Sequence, residues 1–189
     1  MGDVEGQVRD RELDAQAEAL RRRALAQIRQ YPDPVLRLRA AEVEDFDDDL
    51  RTLVARMSAI MEDASGVGLA ANQVGVLRRV FVFQAADEDE PRAVVNPRIE
   101  ARSDEFVTDD EGCLSLGPVR VPVERNLRVS LAGQDLDGEA LHLELDELAA
   151  RVAQHELDHL DGVLIVDRTT PEARRAALAV LRPKPVLVI

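Results

Sequence analysis

Apolar residues recur at helical spacing in two early stretches of the chain. Leu13, Ala17, Leu20, Ala24 and Ile28 share one stripe, which predicts a helix over about 12–29. Pro32 and Pro34 then interrupt the pattern, because proline lacks the donor that a helix interior needs. Leu50, Leu53, Val54, Met57, Ile60 and Met61 form a second, stronger apolar face. Asp47 to Asp49 suit the positive end of that helix, and Gly66 is expected to end it.

The rhythm changes in the middle of the chain. "RRVFVFQ" (78–84), "RAVVNP" (92–97), "NLRVSLAG" (126–133) and "ALHLELD" (140–146) are short and rich in Val and Leu, and read as strands. The last two alternate, with "QDLDGE" as a hairpin connection. Asp146 is expected to cap a helix over 147–160 that Gly162 ends. "VLIVD" (163–167) reads as one more strand, and Pro171 opens a final short helix. Helix, strands and helix without βαβ alternation predict an α+β fold.

Composition narrows the setting. The chain has 189 residues with 46% hydrophobic content, enough for a compact domain with a sizeable core. Its formal net charge of -13 argues against broad binding to nucleic acid or anionic membrane, so no specific DNA binding is expected. No apolar run approaches the roughly 20 residues of a membrane span. The N-terminus "MGDVEGQVRDRELDAQ" has no signal-like apolar stretch, and the lone cysteine, Cys113, fits a reducing compartment. The expectation is a cytoplasmic protein.

The candidate chemistry lies in "VAQHELDHLDG" (152–162), which holds two of the three histidines. On a helix, residues four apart stack on one face, so His155 and His159 point the same way, along with Leu148 and Val152. Two imidazoles a turn apart can bind one metal ion. Glu156 between them can reach a water at that ion, whose pKa falls towards ~7, and take its proton. H-E-x-x-H is the spacing of a hydrolytic site on a helix. The bland alternative, two surface histidines on an amphipathic helix, is a rare coincidence with three histidines in all, whereas His142 in a strand is expected to be structural or exposed.

A catalytic site of this kind needs a third protein ligand. A thermolysin-like zinc protease would supply a downstream glutamate, for which the candidate is Glu172, just after Pro171. No histidine follows His159, so the extended protease motif fails. The soft alternative is Cys113 in "DDEGCLSLG", since a metal deprotonates a coordinating thiol. A third stretch, "GVGLAANQVGV" (66–76), matches G-x-G-x-x-A but follows a helix, so a dinucleotide site is discounted. Its glycines permit close approach of a peptide backbone, and Gln73 offers an amide.

Together, "GVGLAANQ" (66–73), "EGCLS" (111–115) and "QHELDH" (154–159) resemble, in order and spacing, the three signature motifs of the peptide deformylases. The resemblance covers about residues 26 to 182 and leaves 1–25 as an N-terminal helical extension to a catalytic domain over 26–189. It implies antiparallel strands packed around a central helix carrying the two histidines. It also implies removal of the formyl group from N-formylmethionyl nascent peptides, releasing formate. Carried over, it makes Cys113, His155 and His159 the metal ligands and Glu156 the general acid/base. The Gln73 amide and the Leu114 backbone N–H become oxyanion donors, and Gly68 and Gly112 bond the peptide backbone. Val67, Leu148 and Val152 fall at the methionine pocket, and Arg120 falls where the family often has an arginine.

One divalent ion is implied, Fe(II) in the cell, with Zn, Ni or Co as substitutes. Gly117-Pro118 departs from the family pattern beside the peptide site. Arg174, Arg175, Arg182 and Lys184 make a basic C-terminal segment that the resemblance associates with docking on the ribosome near the peptide exit. Two other classes compete: a zinc endopeptidase, disfavoured by Cys113, and a metal-stabilised binding module, disfavoured by Glu156.

Overall fold

The computed structural model describes residues 4–84 and 90–182, with side chains from residue 14 onward. The first helix, α1, spans Val4–Leu25 and starts earlier than the apolar stripe predicts. Of its described side chains, only those of the last turn reach the core. Ala24 and, just past the helix, Ile28 are buried, whereas Ala17 and Leu20 are exposed. The segment that follows is fastened down by backbone bonds. Arg29 N–H donates to the Gln73 carbonyl at 2.7 Å, and Tyr31 N–H to the Ser115 carbonyl at 2.9 Å.

The second helix, α2, spans Asp48–Asp63 and buries Leu50, Val54, Met57, Ile60 and Met61 as its spacing requires. Each such side chain contributes roughly 1.5–3 kcal/mol by leaving water. Asp47 is the N-cap, its carboxylate accepting from Leu50 N–H at 2.9 Å. Gly66 is not the terminator. Ser65 takes the left-handed turn with φ of 56°, and Gly66 instead supplies room. A β-carbon there would lie 2.8 Å from Leu114 Cδ1.

Seven strands follow among the described residues: β1 Gly68–Ala70, β2 Val80–Phe83, β3 Arg92–Arg102, β4 Phe106–Gly112, β5 Arg120–Asn126, β6 Arg128–Gln134 and β7 Ala140–Asp146. They form an antiparallel five-stranded sheet, ordered β1-β2-β3-β6-β7, and a separate β4–β5 pair. The β6–β7 hairpin matches the alternation in the sequence, with Val129 opposite Leu145 and Leu131 opposite Leu143.

Helix α3, Glu147–Leu160, packs between the two sheets, touching β1, β2 and β7 on one side and β5 on the other. Asp146 occupies its N-cap position but makes no side-chain cap bond. The chain passes from β7 into the helix without a loop. Glu147, at φ 43°, makes the turn, and its N–H is taken up by the Leu127 carbonyl at 2.9 Å. Gly162, at φ 74°, ends α3 as expected.

"VLIVD" is not a strand. Leu164, Ile165 and Val166 are buried, but Ile165–Asp167 forms a 3-10 turn, and the Asp167 carboxylate accepts from Leu164 N–H at 3.0 Å. Helix α4, Pro171–Leu181, closes the described fold with Thr170 as its N-cap.

Gly162 sets α3 against the segment before it. A β-carbon at Gly162 would sit 2.5 Å from the Arg37 carbonyl oxygen, in addition to the left-handed strain. Gly117 shares the positive φ (57°) but has nothing within 4 Å. Gly162→Ala should therefore lose about 2–5 kcal/mol and several degrees of melting temperature. Gly117→Ala should lose only about 1 kcal/mol. Thermal melts of both variants check this, and equal shifts would contradict it.

Candidate active site

Three elements converge on one point. Helix α3 brings His155 and His159, whose rings lie edge to face with centroids 4.9 Å apart. Cys113 follows directly on β4, and its Sγ lies 3.1 Å from His159 Nε2. One ligand atom from each of Cys113, His155 and His159 falls within 4.8 Å of the others. Ligands of a tetrahedral ion are roughly 3.3–3.6 Å apart, given bonds of about 2.0–2.3 Å. The three side chains therefore offer the donor chemistry of a divalent-ion site and lie close to the spacing it needs. Glu172, the alternative third ligand, is on exposed α4 and is not among this group.

The third element is the edge of β1 and the 3-10 turn Ala71–Val74 that follows it. Gln73 is 1% exposed. Its Oε1 accepts from Ala70 N–H at 2.8 Å, which turns Nε2 towards Ser115 Oγ at 3.1 Å and Cys113 Sγ at 3.7 Å. Ser115 N–H also points at the sulfur, at 3.4 Å. Asn72 Nδ2 donates to the His159 carbonyl and ties this turn to the end of α3. Leu114 N–H has no acceptor among the described residues, while its carbonyl accepts from Gln30 Nε2 at 2.9 Å.

Behind His155 stands a buried ion network that sequence reasoning missed. His155 Nδ1 donates to Glu111 Oε2 at 3.0 Å, which leaves Nε2 free as a ligand. Both Glu111 oxygens accept from Arg125, at 2.9 Å each, and Oε1 also accepts from Arg151 at 2.8 Å. Arg125 donates on to Asp158 at 2.6 Å, and Arg168 closes the chain on the same carboxylate. One signal was available. Arg125 continues the inward stripe of Val121 and Val123 on β5, and a charge on an apolar face needs a partner.

The electrostatics follow from this arrangement. Burial pulls the Glu111 carboxyl up, but hydrogen bonds from His155 and Arg125 outweigh it and hold it at about 2. Burial lowers His155, yet its bonds to Cys113 and Glu111 raise it well above the usual histidine range. These surroundings favour a positive charge, and a proton and a metal ion compete for the same Nε2 lone pair. Burial first, and then His155, hold His159 well below the usual range, so it is the neutral imidazole a metal requires. Burial, opposed by His155 and reinforced by Glu111, pushes Glu156 up to about 7. A general base is most effective near the working pH. Its Oε2 is buried without a hydrogen-bond partner.

These groups open into a cleft of about 910 Å³. Val67, Gly68, Gly112, Arg120, Leu148 and Val152 all line it, as do Gln73, Cys113, Leu114, His155 and Glu156. Val67 and Leu148 expose 48% and 49% of their surface there, two apolar side chains that only an occupant would cover. Gly68 has no room for a side chain: a β-carbon would collide with the Glu156 carboxylate and lie 2.8 Å from Val152 Cγ1. Among the described residues, β1 is the outer strand of its sheet and β4 pairs only with β5, so both present an open edge. His142 is exposed and sits 3.4 Å from Glu100, away from this cleft.

Comparison with known proteins decides the family. Residues 25–175 match the family described as polypeptide deformylase. The chain belongs to the polypeptide deformylase family. Peptide deformylase 1 of Corynebacterium efficiens is 51% identical over 157 residues, covering 82% of this chain and 93% of the relative. The crystal structure of a peptide deformylase from Legionella pneumophila superposes with a TM-score of 0.78 at 38% identity, covering 82% of this chain and 91% of that one. That of Thermotoga maritima gives 0.73 at 46% identity over 76% of this chain and 97% of that one. The known function of the family is metal-dependent removal of the formyl group from N-formylmethionyl peptides, and the chain is a hydrolase of that kind.

The network behind His155 yields a test. Glu111→Gln keeps the shape but removes the charge that orients and polarises the imidazole. Outer partners of this type are worth about 10–100-fold in metal affinity. Metal titration against a competing chelator should show a loss of that size, and unchanged affinity would contradict the role.

Proposed function

We propose that Cys113, His155 and His159 hold one divalent ion and that Glu156 moves the protons of deformylation. The observation that carries this reading is the convergence of a cysteine sulfur and two imidazoles within 4.8 Å. Beside them stands a buried glutamate poised at about 7. When bound, the ion supplies Lewis acidity, lowering the pKa of a water and polarising the formyl oxygen. The Glu156 carboxylate takes a proton from the water that adds to the formyl carbon. As charge grows on the formyl oxygen, Gln73 Nε2 and Leu114 N–H donate to it; one such donor is worth ~10²–10³ in rate. Glu156 then hands its proton to the departing amine as the C–N bond breaks. Formate and a free methionyl N-terminus leave.

The substrate backbone enters as an added strand between the open edges at Gly68 and Gly112. Val67, Leu148 and Val152 receive the methionine side chain, and Arg120 stands at the rim of the cleft. Gly117-Pro118 lies on the same rim, where a β-carbon at Gly117 would have nothing within 4 Å. Residues 26–189 form the catalytic domain in this reading, with 1–25 as an extension; the family match begins at residue 25.

Fe(II) is the physiological metal in this account. A thiolate with two imidazoles also accepts Zn, Ni and Co, and intrinsic affinity alone would favour those. If iron is the metal supplied in the cell, air-free purification should yield it in near-stoichiometric amount, with turnover lost as it oxidises. The setting is the cytoplasm, on nascent chains. No helix among the described residues is long and apolar enough to cross a membrane.

Ribosome docking through the basic C-terminal segment is part of the same reading. Arg174 already pairs with Asp167 at 3.3 Å and Arg175 with Glu172 at 3.0 Å, so docking would rest mainly on Arg182 and Lys184. Lys184 lies outside the described residues.

Loaded with Fe(II) or Ni(II) without air, the protein should release formate from a short formyl-Met peptide. It should leave the acetylated peptide intact, because the extra methyl must fit beside the crowded Gly68–Glu156 contact. Mass spectrometry decides between loss of the formyl mass and internal cleavage, and internal cleavage would overturn the reading. Glu156→Gln should keep its metal and lose about 10²–10⁴ in turnover.

A further inference from the structure

The cleft has a wall that begins ahead of the family match. Arg21, Arg22 and Leu25 of α1 and Ala26 just after it line it, and the two arginines precede the family match, which starts at residue 25. Residues 21, 22, 25 and 26 fall on one face of a helix, so the two arginines and the two apolar residues present a single surface. That surface is held in place. The segment just after the helix is bonded to the catalytic loops: Arg29 N–H to the Gln73 carbonyl at 2.7 Å and Gln30 Nε2 to the Leu114 carbonyl at 2.9 Å. The position of the wall is thus tied to the two residues assigned as oxyanion donors.

The charge balance at this wall is the second observation. Among the described residues, the Arg21 and Arg22 side chains form no ion pair or hydrogen bond. Glu18, one turn before Arg22, is exposed and does not pair with it. The Arg120 guanidinium, on the same cleft, donates among the described residues only to the Asp110 carbonyl, at 2.9 Å. The acidic groups that line the cleft do not cancel these charges. Glu111 is consumed by Arg125, Arg151 and His155. Glu156 is buried at the centre, and Asp110 alone is an exposed carboxylate. A protein of net charge -13 thus lines one side of its cleft with arginines that, among the described residues, meet no carboxylate.

We propose that Arg21 and Arg22 form a specificity surface that favours formyl peptides carrying Asp or Glu in the residues after the methionine. The inference rests on the deformylase reading. At about 910 Å³ the cleft is near the upper end for single-ligand sites, so it has room beyond a formylmethionine. With the methionine side chain against Val67, Leu148 and Val152, the remaining space falls to the following residues. Leu25 and Ala26 give their backbone an apolar floor, and the guanidiniums meet their side chains.

The test compares three peptides on the full-length metal-loaded protein: formyl-Met followed by two alanines, two aspartates or two lysines. Wild type should prefer the aspartate over the lysine peptide by about three- to tenfold in kcat/KM at low salt, mainly through KM, and the preference should shrink in 0.5 M salt. Arg21→Ala/Arg22→Ala should flatten the ratio, and Arg21→Glu/Arg22→Glu should invert it. The melting temperature of each variant, expected to match wild type, separates specificity from damage to the fold. Turnover of the alanine peptide with equal rates on aspartate and lysine, or a preference that survives charge reversal, would overturn this inference alone. Failure to deformylate any of the three would sink the deformylase reading and the inference with it.

Discussion

Glu111 joins the two halves of the site. Its carboxylate takes hydrogen bonds from Arg125 and Arg151 and from His155 on α3, so it couples the β4–β5 pair to the central helix. Burying one carboxylate among such partners is tolerable only when every charge is matched, and removing one partner from a buried set costs about 3–5 kcal/mol. The network is matched: Arg125 and Arg168 converge on Asp158, and Glu111 is held ionised at about 2. Cys113 lies two residues beyond Glu111. Positioning the carboxylate therefore positions the sulfur opposite the histidines.

Close packing does the rest. Gly68 lets β1 approach α3 until Glu156 and Val152 fill the space where a side chain would be. This contact buries the Glu156 carboxyl and raises it towards neutrality. Gly162 plays the corresponding part at the other end of the helix, against the Arg37 backbone. The helix is thus confined at both ends of its histidine-bearing stretch, and the His155 and His159 rings inherit that confinement.

Much of this was legible in the sequence where the signal is local. The bounds of α3 follow from Asp146 and Gly162, and the H-E-x-x-H spacing puts its chemistry on one face. Hairpin β6–β7 follows from alternation. What escaped notice depends on distant partners. "FVTDDEG" is almost wholly exposed and carries no apolar stripe, so β4 gave no strand signal. Pro122 masks β5; it is tolerated because β5 pairs on one side only. "VLIVD" is a short buried run, and such runs do not distinguish strand from turn without tertiary context. Glu111 and Arg125 are 14 residues apart and on different strands, so only the fold reveals that they meet.

The central claim is that one sulfur and two imidazoles hold the metal. X-ray absorption at the metal edge of Co(II)-loaded protein tests it directly, alongside the thiolate-to-cobalt charge-transfer band in the near-ultraviolet spectrum. The account predicts one sulfur and two imidazole nitrogens around the ion, with both the sulfur shell and the charge-transfer band absent in Cys113→Ser. A shell of nitrogen and oxygen alone in the wild-type protein would contradict it.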